Sequence, residues 1–162
     1  MASVYPSTQW GEAYEPGLSC YAASDIWQGA IVRIASSQDW GVQMVATTTE
    51  EPIGIARDFA AYGEQVDVIC GQLSVTNVVA GGSVQRMSQV HVVGTSSGVH
   101  PKSGVTVTYP VAGAVVPASG YPLWSVGQAW TSAAVSDLFA VKVHPRQLVG
   151  LATESNSKTS PW

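Results

Sequence analysis

Charge is scarce in this chain. Only 11% of its 162 residues are charged, seven of them are Lys or Arg, and the net charge is −4. A typical soluble domain is about 25% charged. The basic residues form no cluster, which argues against a nucleic-acid groove and against a helix lying on a membrane surface. We therefore expect neither nucleic acid nor membrane as a partner, and a weakly charged surface suited to an assembly.

Cysteine and long apolar runs are also scarce. Cys20 and Cys70 are the only two cysteines, and two such residues in no motif spacing are more often buried free thiols than a disulfide. No window approaches the roughly 20 apolar residues of a membrane span. The N-terminus has neither the basic region nor the apolar run of a secretion signal, so we expect none. Helical apolar spacing is missing as well, and the best helix candidate, residues 131–139, is short.

Motifs for catalysis or metal binding are absent from the sequence. His91, His100 and His144 are the only histidines, and none stands at metal-ligand spacing from a second His, a Cys or a carboxylate. No nucleophile motif and no phosphate-binding loop occurs. Acidic residues at 58, 64 and 67 could form an acid–base pair, but exposure on a hydrated turn is the simpler interpretation. We expect no catalytic residue, no metal site, no cofactor and no enzymatic activity.

Short alternating segments rich in β-branched residues fill the middle of the chain. Turn residues separate them at intervals of 8–12 residues, which is typical of a barrel or sandwich. The predicted strands are 30–36, 42–47, 53–59, 65–70, 72–79, 83–93, 104–111 and 138–145. Residues 83–93 could form either one long strand or two short ones. The fold prediction is an all-β protein whose body is a small β-barrel.

The two ends differ from this middle part. Residues 1–25 contain Tyr5, Trp10 and Tyr14 but show no strand period, and residues 153–162 are polar. We therefore divide the chain into an extended N-terminal arm (1–25), a β-barrel body (26–152) and a polar tail. Aromatic residues in a segment without periodicity indicate docking. The arm docks either on another chain or on its own body.

An internal echo relates two parts of the body. The segment "GIARDFAAYGEQVDV" begins at Gly54, and "GQAWTSAAVSDLFAV" begins at Gly127. Their Gly and Ala residues match without a gap, and Glu64 aligns with Asp137. Each segment predicts a strand, a turn of small residues and a second strand. Because a repeated pattern is more often architecture than a duplicated catalytic cluster, we interpret these glycines as sites of close backbone approach at a turn or barrel corner.

These motifs resemble those of the small capsid decoration (cement) proteins of tailed bacteriophages. The resemblance covers roughly residues 28–145 and is carried by four pieces in a fixed order. They are Gly29 with Val32; Pro52, Gly54, Ile55 and Ala56; Gly63, Glu64, Val66, Val68 and Gly71; and Val126, Gly127 and Ala129. The late piece ends in "VSD" where the family has "G-D".

The resemblance implies a β-barrel or β-tulip body that forms homotrimers. The trimer would sit on the outer surface of the capsid in the virion, with the major capsid protein as its partner, and stabilise the expanded head against the pressure of packed DNA. The arm residues Val4, Tyr5, Trp10 and Tyr14 are the expected capsid contacts. The expected architectural turn residues are Gly54, Gly63, Gly71 and Gly127.

Two other classes of function compete with this one. A carbohydrate- or receptor-binding module of trimeric β architecture, on a virion or a cell surface, would use exposed aromatic rings as stacking platforms. Tyr121, Trp124 and Trp130 are close enough in sequence to form one, although packing in a core or a trimer interface is their simpler role. A hydrolase is the other class, and the lack of a nucleophile–base motif argues against it.

Overall fold

A computed structural model describes residues 17–71, 74–116 and 123–148 of the chain. In these ranges the chain forms ten β-strands, so the all-β prediction is confirmed. The strands are β1 (Leu18–Ala22), β2 (Ile31–Ile34), β3 (Gly41–Met44), β4 (Gly54–Ala56), β5 (Gln65–Ile69), β6 (Val75–Val79), β7 (Gln89–Val99), β8 (Thr106–Ala114), β9 (Leu123–Ala129) and β10 (Leu138–Leu148). No helix in the described ranges has the length and apolar character that crossing a membrane requires.

The first five strands form a closed barrel, which we call the first barrel. The strand order is β1-β3-β2-β4-β5, and β1 pairs with β5 to close it. Strand alternation sends every second side chain inward, so Val32 of β2 is buried inside while Arg33 lies on the outer side. Small and β-branched residues fill the interior, namely Cys20, Ala22, Ile26, Val32, Val42, Ala56, Ala60, Val66 and Val68.

The last five strands form a second sheet with the same topology. Its order is β6-β10-β9-β7-β8, and a parallel bridge between Ala80 and Ala112 brings its two edges together. In chain order, β6 corresponds to β1, β7 to β2, and so on to β10, which corresponds to β5. With this correspondence, each pair of adjacent strands in the first barrel has an adjacent pair in the second sheet. The second sheet is therefore a structural repeat of the first barrel.

The strand register shows how closely the two copies agree. Ile55 of β4 stands opposite Ile69 of β5, and Gln128 of β9 stands opposite Lys142 of β10. Both pairs are separated by the same number of residues. The sequence echo described above is thus the trace of β4–β5 and β9–β10. It revealed the equivalence of two strands in each copy, whereas the duplication spans all five.

Two turns have the same backbone conformation in both copies, although only the first copy uses glycine. Gly63 has φ 85° and its counterpart Ser136 has φ 72°; Gly29 has φ 79° and its counterpart Met87 has φ 78°. The left-handed region is open to glycine but costs a residue with a Cβ about 1–3 kcal/mol. The "VSD" segment therefore keeps the turn conformation seen at Gly63 and places Ser136 in it.

One buried cluster spans both copies. Its members from the first barrel are Ile31, Val45, Ile55 and Ile69, and those from the second sheet include Val78, Val84, Val90, Val92, Val126, Phe139, Val141 and Val143. Ile31, Ile55 and Ile69 follow the outer face of the first barrel, so this face is covered by the second sheet. The two copies share one hydrophobic core and form a single body.

Two local interpretations of the sequence differ from the structure. The arm was predicted to reach residue 25, but β1 lies within it and closes the first barrel. The strand has only two inward positions, Cys20 and Ala22, and is too short to show a period. Residues 131–139 are not helical: Ala133 bridges to Val84, and the turn that follows leads directly into β10. Here strand pairing overrides the helical preference of alanine.

The predicted strand over residues 83–93 also differs from the structure. A turn containing Met87 occupies its first half, and β7 starts at Gln89 and continues to Val99. The strand β9 was not predicted at its observed length. Its sequence lacks a clear apolar alternation, because the outward position 128 is Gln and positions 127 and 129 are the small residues Gly and Ala.

Candidate functional site

The predicted capsid-contact residues of the arm, Val4, Tyr5, Trp10 and Tyr14, lie outside the described residues. Their role stays a prediction. The structure does show where the arm begins, because Gly17 directly precedes β1 and packs against β5. Any surface near this point is within reach of the residues that come before it.

Of the four predicted turn glycines, two lie in strands. Gly54 is the first residue of β4 and Gly127 lies inside β9, so neither occupies a turn. The close backbone approach is nevertheless present: a Cβ at Gly54 would collide with the carbonyl oxygen of Ile69, and one at Gly127 with that of Lys142. Glycine is needed at these two positions because the neighbouring strand passes too near for a side chain.

The other two glycines follow the turn prediction more closely. Gly63 lies in the turn before β5 with a positive φ, as described above. Gly71 follows β5, and its carbonyl oxygen accepts a 3.0 Å hydrogen bond from the backbone N–H of Ser74.

The acidic residues near the Gly63 turn hold the backbone in place. Glu64 accepts a 2.9 Å hydrogen bond from the N–H of Ala61 and lies 3.2 Å from the ammonium group of Lys102. These two hydrogen bonds, first the one from Ala61, lower the pKa of Glu64. Asp67 accepts a 2.9 Å hydrogen bond from the hydroxyl of Ser19 on the paired strand. Each carboxylate therefore has a structural partner.

The buried histidines have different surroundings. His100 donates from Nε2 to the carbonyl oxygen of Ile26 at 2.9 Å, and its Nδ1 accepts from the N–H groups of residues 102 and 103. His91 donates from Nε2 to the carbonyl oxygen of Glu50 at 3.1 Å, but its Nδ1 has no hydrogen-bond partner among the described residues. Burial lowers the pKa of His91. Among the described residues, no group of three His, Cys, Asp or Glu side chains could hold a metal ion.

An aromatic cluster fixes one end of the first barrel. Trp27 stacks on Tyr109 with ring centroids 4.1 Å apart and meets Phe59 edge-on at 4.9 Å. Tyr109 belongs to the long β7–β8 hairpin, which extends from the second sheet over the first barrel. The hydroxyl of Ser103, at the tip of the hairpin, donates a 2.7 Å hydrogen bond to Asp25. The hairpin thus caps the first barrel.

The equivalent end of the second sheet has no such cap from the described residues. Met87, Trp130 and Val135 are all exposed there. Trp124 lies near the start of β9, whereas Trp130 directly follows the end of that strand, so the two are about 20 Å apart at the usual rise per strand residue. Trp124 and Trp130 therefore do not form a shared stacking platform, and Tyr121 lies outside the described residues.

A polar recess lies on the outer face of the second sheet. It is lined by Gln89, Gln128, Lys142, His144 and Arg146, together with Gly127. The equivalent outer face of the first barrel carries the isoleucines that pack against the second sheet. The same topological surface is thus apolar and covered in one copy but polar and open in the other.

An apolar groove of about 510 Å³ lies on the first barrel. Its size falls within the range of ordinary ligand pockets. Ile34 and Trp40 stand at its rim and are 67% and 68% exposed. Glu51 is its only charged residue, and the remaining lining consists of Leu18, Cys20, Gly41, Val42, Pro52, Ile53, Cys70 and Pro145. Both cysteines of the chain line this groove, and both are free thiols.

Fold and surfaces together define a class: a duplicated five-stranded β architecture, with one copy a closed barrel, that carries an open apolar groove. No family model and no curated protein matches the chain. The chain is similar in structure to the head fiber gp8.5 N base of bacteriophage phi29, with a TM-score of 0.53 and 15% sequence identity. The match covers 84% of this chain and 95% of that chain. At this identity the similarity shows a common fold.

Proposed function

We propose that the chain is a structural protein of a phage virion. It binds as a homotrimer to the outer surface of the expanded head, where the major capsid protein is its partner, and it stabilises the head against the pressure of packed DNA. The observation that supports this most directly is the shared fold with a head fiber base, which extends over nearly all of that chain. The motifs that resemble capsid decoration proteins point to the same class independently.

The chemistry of the chain supports a role in binding without catalysis. Low charge and exposed apolar side chains are suited to a permanent place in an assembly. In this proposal the contacts to the capsid come from the arm: three aromatic residues, Tyr5, Trp10 and Tyr14, and the aliphatic Val4. Stabilisation then follows from linkage: a protein that binds only the expanded head contributes about 2.7 kcal/mol per site at a hundredfold excess over Kd.

Binding to expanded, undecorated heads tests the proposal. We expect saturable binding of a trimer, a rise in the temperature at which heads release their DNA, and little change in affinity between low and moderate salt, because few ion pairs are available. Trp10→Ala should weaken binding by about 2 kcal/mol or more if Trp10 is a buried anchor. Asp58→Asn combined with Glu64→Gln serves as the control and should change binding little. Absence of head binding would refute the proposal.

A receptor- or carbohydrate-binding module of a virion remains the second candidate. It is favoured by the exposed Trp130 beside Met87 at the uncapped end of the second sheet. Glycan binding that is lost in Trp130→Ala, with no binding to heads, would support it over the first proposal. Head binding that Trp130→Ala leaves intact would support the decoration protein.

A further inference from the structure

A comparison of the two copies shows that the apolar groove of the first barrel corresponds to a surface that is buried in the second sheet. Ile34 and Ile53 line the groove, and their counterparts in the second sheet are Val92 and Val126. Both counterparts are buried in the core shared by the two copies, and Val92 is only 3% exposed whereas Ile34 is 67% exposed. In one copy this surface is therefore covered by apolar side chains. In the other, no described residue covers it.

The path of the chain indicates what covers it. Leu18 pairs with Val68 in antiparallel register, so at Gly17 the chain direction, followed back from Leu18, is along β5 towards Cys70. Both Leu18 and Cys70 line the groove. A segment that continues in the direction set at Gly17 would enter the groove without crossing another element.

The length of the preceding segment and the character of its side chains both favour Tyr14 as the residue that fills the groove. Tyr14 is three residues before Gly17, and an extended chain covers about 10 Å over that distance. Trp10 and Tyr5 are correspondingly further away. The sequence from Gly11 to Pro16 is "GEAYEP", in which Tyr14 is the only large apolar side chain. An aromatic ring with one polar hydroxyl suits an apolar groove that is open to water at its rim.

We propose that residues 11–16 of the same chain occupy the apolar groove of the first barrel, with the ring of Tyr14 filling it. This segment anchors the root of the arm. Val4, Tyr5 and Trp10 then extend beyond the groove and remain available to a partner. In this arrangement Tyr14 anchors the arm to its own barrel in place of the capsid contact predicted from the sequence. The capsid contacts of the proposed function are then Val4, Tyr5 and Trp10, and the groove proposal does not depend on that function.

Alkylation of Cys70 measures whether the groove is covered. The full-length protein is treated with iodoacetamide, and modification at Cys70 is followed by peptide mass spectrometry. Tyr14→Ala should raise the rate at Cys70 by about tenfold or more, because the burial of the ring no longer opposes opening of the groove. Tyr14→Phe should retain protection. Tyr5→Ala is the matched control, an aromatic residue of the same arm, and should change the rate less than twofold.

Disulfide trapping identifies which chain supplies the segment. In a Tyr14→Cys variant, mild oxidation should link position 14 to Cys70 within one chain, which shifts the monomer band on a non-reducing gel. Disulfide-linked dimers would mean that a second copy fills the groove and would overturn the proposal. Equal alkylation rates in the parent protein, Tyr14→Ala and Tyr5→Ala would overturn it as well.

Head binding of the same variants separates the two proposals. Tyr5→Ala should weaken head binding while Cys70 stays protected, if both are correct. Loss of protection in Tyr14→Ala supports the groove proposal whatever the head-binding result, since alkylation is measured on the free protein.

Discussion

The first barrel and the second sheet have the same topology, but they use the same surfaces differently. The outer face of β2, β4 and β5 carries Ile31, Ile55 and Ile69, which are buried against the second sheet. In the second sheet the same face carries Gln89, Gln128 and Lys142 and is open. One end of the first barrel is capped by the β7–β8 hairpin, while the equivalent end of the second sheet exposes Met87 and Trp130.

This difference shows how a duplicated fold acquires distinct surfaces. The positions that both copies keep are those where the backbone leaves no choice, such as Gly54 and Gly127. The positions that differ are those where one copy contacts the other. A surface that is buried inside the molecule in one copy becomes a candidate binding surface in the other, because the topology still presents it.

The largest expected effect is a loss of stability at Gly54 and Gly127, the equivalent glycines that both copies share. Gly54→Ala and Gly127→Ala should each lower the free energy of unfolding by about 3 kcal/mol or more, because the added Cβ meets a carbonyl oxygen of the paired strand. Gly82→Ala is the control, since a Cβ there meets no neighbour, and should change stability by less than about 0.5 kcal/mol. Chemical denaturation measures all three. A strong effect in only one copy would show that the copies are not equivalent at this position.

The next largest effect is a loss of stability at Trp27, which packs under the β7–β8 hairpin that caps the first barrel. Trp27→Ala removes the stacked contact with Tyr109 and the edge contact with Phe59. It should lower the free energy of unfolding by about 2 kcal/mol, less than for a fully buried tryptophan because Trp27 is half-buried. The counterpart of Trp27 in the second sheet is Gln85, which is exposed. Gln85→Ala should therefore have little effect, and an equal loss in both variants would contradict the asymmetry.

A smaller effect is expected where the second copy lacks glycine. Met87→Gly should raise the melting temperature, with a gain of about 0.5–1 kcal/mol, since relief of the positive φ exceeds the entropy that glycine adds to the unfolded chain. Gly29→Ala should have the opposite effect at the equivalent turn. Thermal unfolding of both variants gives the comparison. A loss of stability in Met87→Gly would mean that the Met87 side chain makes contacts worth more than the strain.

The smallest effect is a pH dependence that only the second copy carries. Burial lowers the pKa of His91 below its ordinary value of 6.5, so the unfolded state binds the proton more readily than the folded state. The resulting stability is fully present above pH 6.5 and is lost as the pH falls from there through the folded-state pKa. Its first-barrel counterpart is Arg33, whose guanidinium lies 2.8 Å from the carboxylate of Glu50. Melting temperatures between pH 7.5 and 5 should decline less steeply in His91→Gln than in the parent and in His144→Gln.

Much of the fold followed from local patterns. Period-2 alternation located eight of the strand regions, and Gly and Pro marked the turns between them. The echo between the segments that start at Gly54 and Gly127 revealed two equivalent strand pairs. Equivalence of the remaining strands could not be seen, because the offset between counterparts changes along the chain. It is 58 from Ala22 to Ala80, 70 from Val42 to Ala112 and 73 from Gly54 to Gly127.

The candidate site was predicted less completely than the fold. The sequence pointed to Gly54 and Gly127 as places of close backbone approach, but it placed them in turns, because strand glycines and turn glycines look alike without the partner strand. The apolar groove could not be predicted at all. Its lining comes from residues as distant as Leu18 and Pro145, and it is recognisable as a site only because the equivalent surface of the other copy is covered.

By itself, the sequence determined the all-β class, the positions of most strands and two of the five strand equivalences in the duplication, since strand periodicity and turn residues act over a few neighbours. Tertiary structure alone decided that β1 closes the first barrel, that a hairpin of one copy caps the other, and that Ile34 is exposed while Val92 is buried. These outcomes depend on which distant strands meet. Two valines or isoleucines with the same local pattern are indistinguishable until a partner surface covers one of them and leaves the other open.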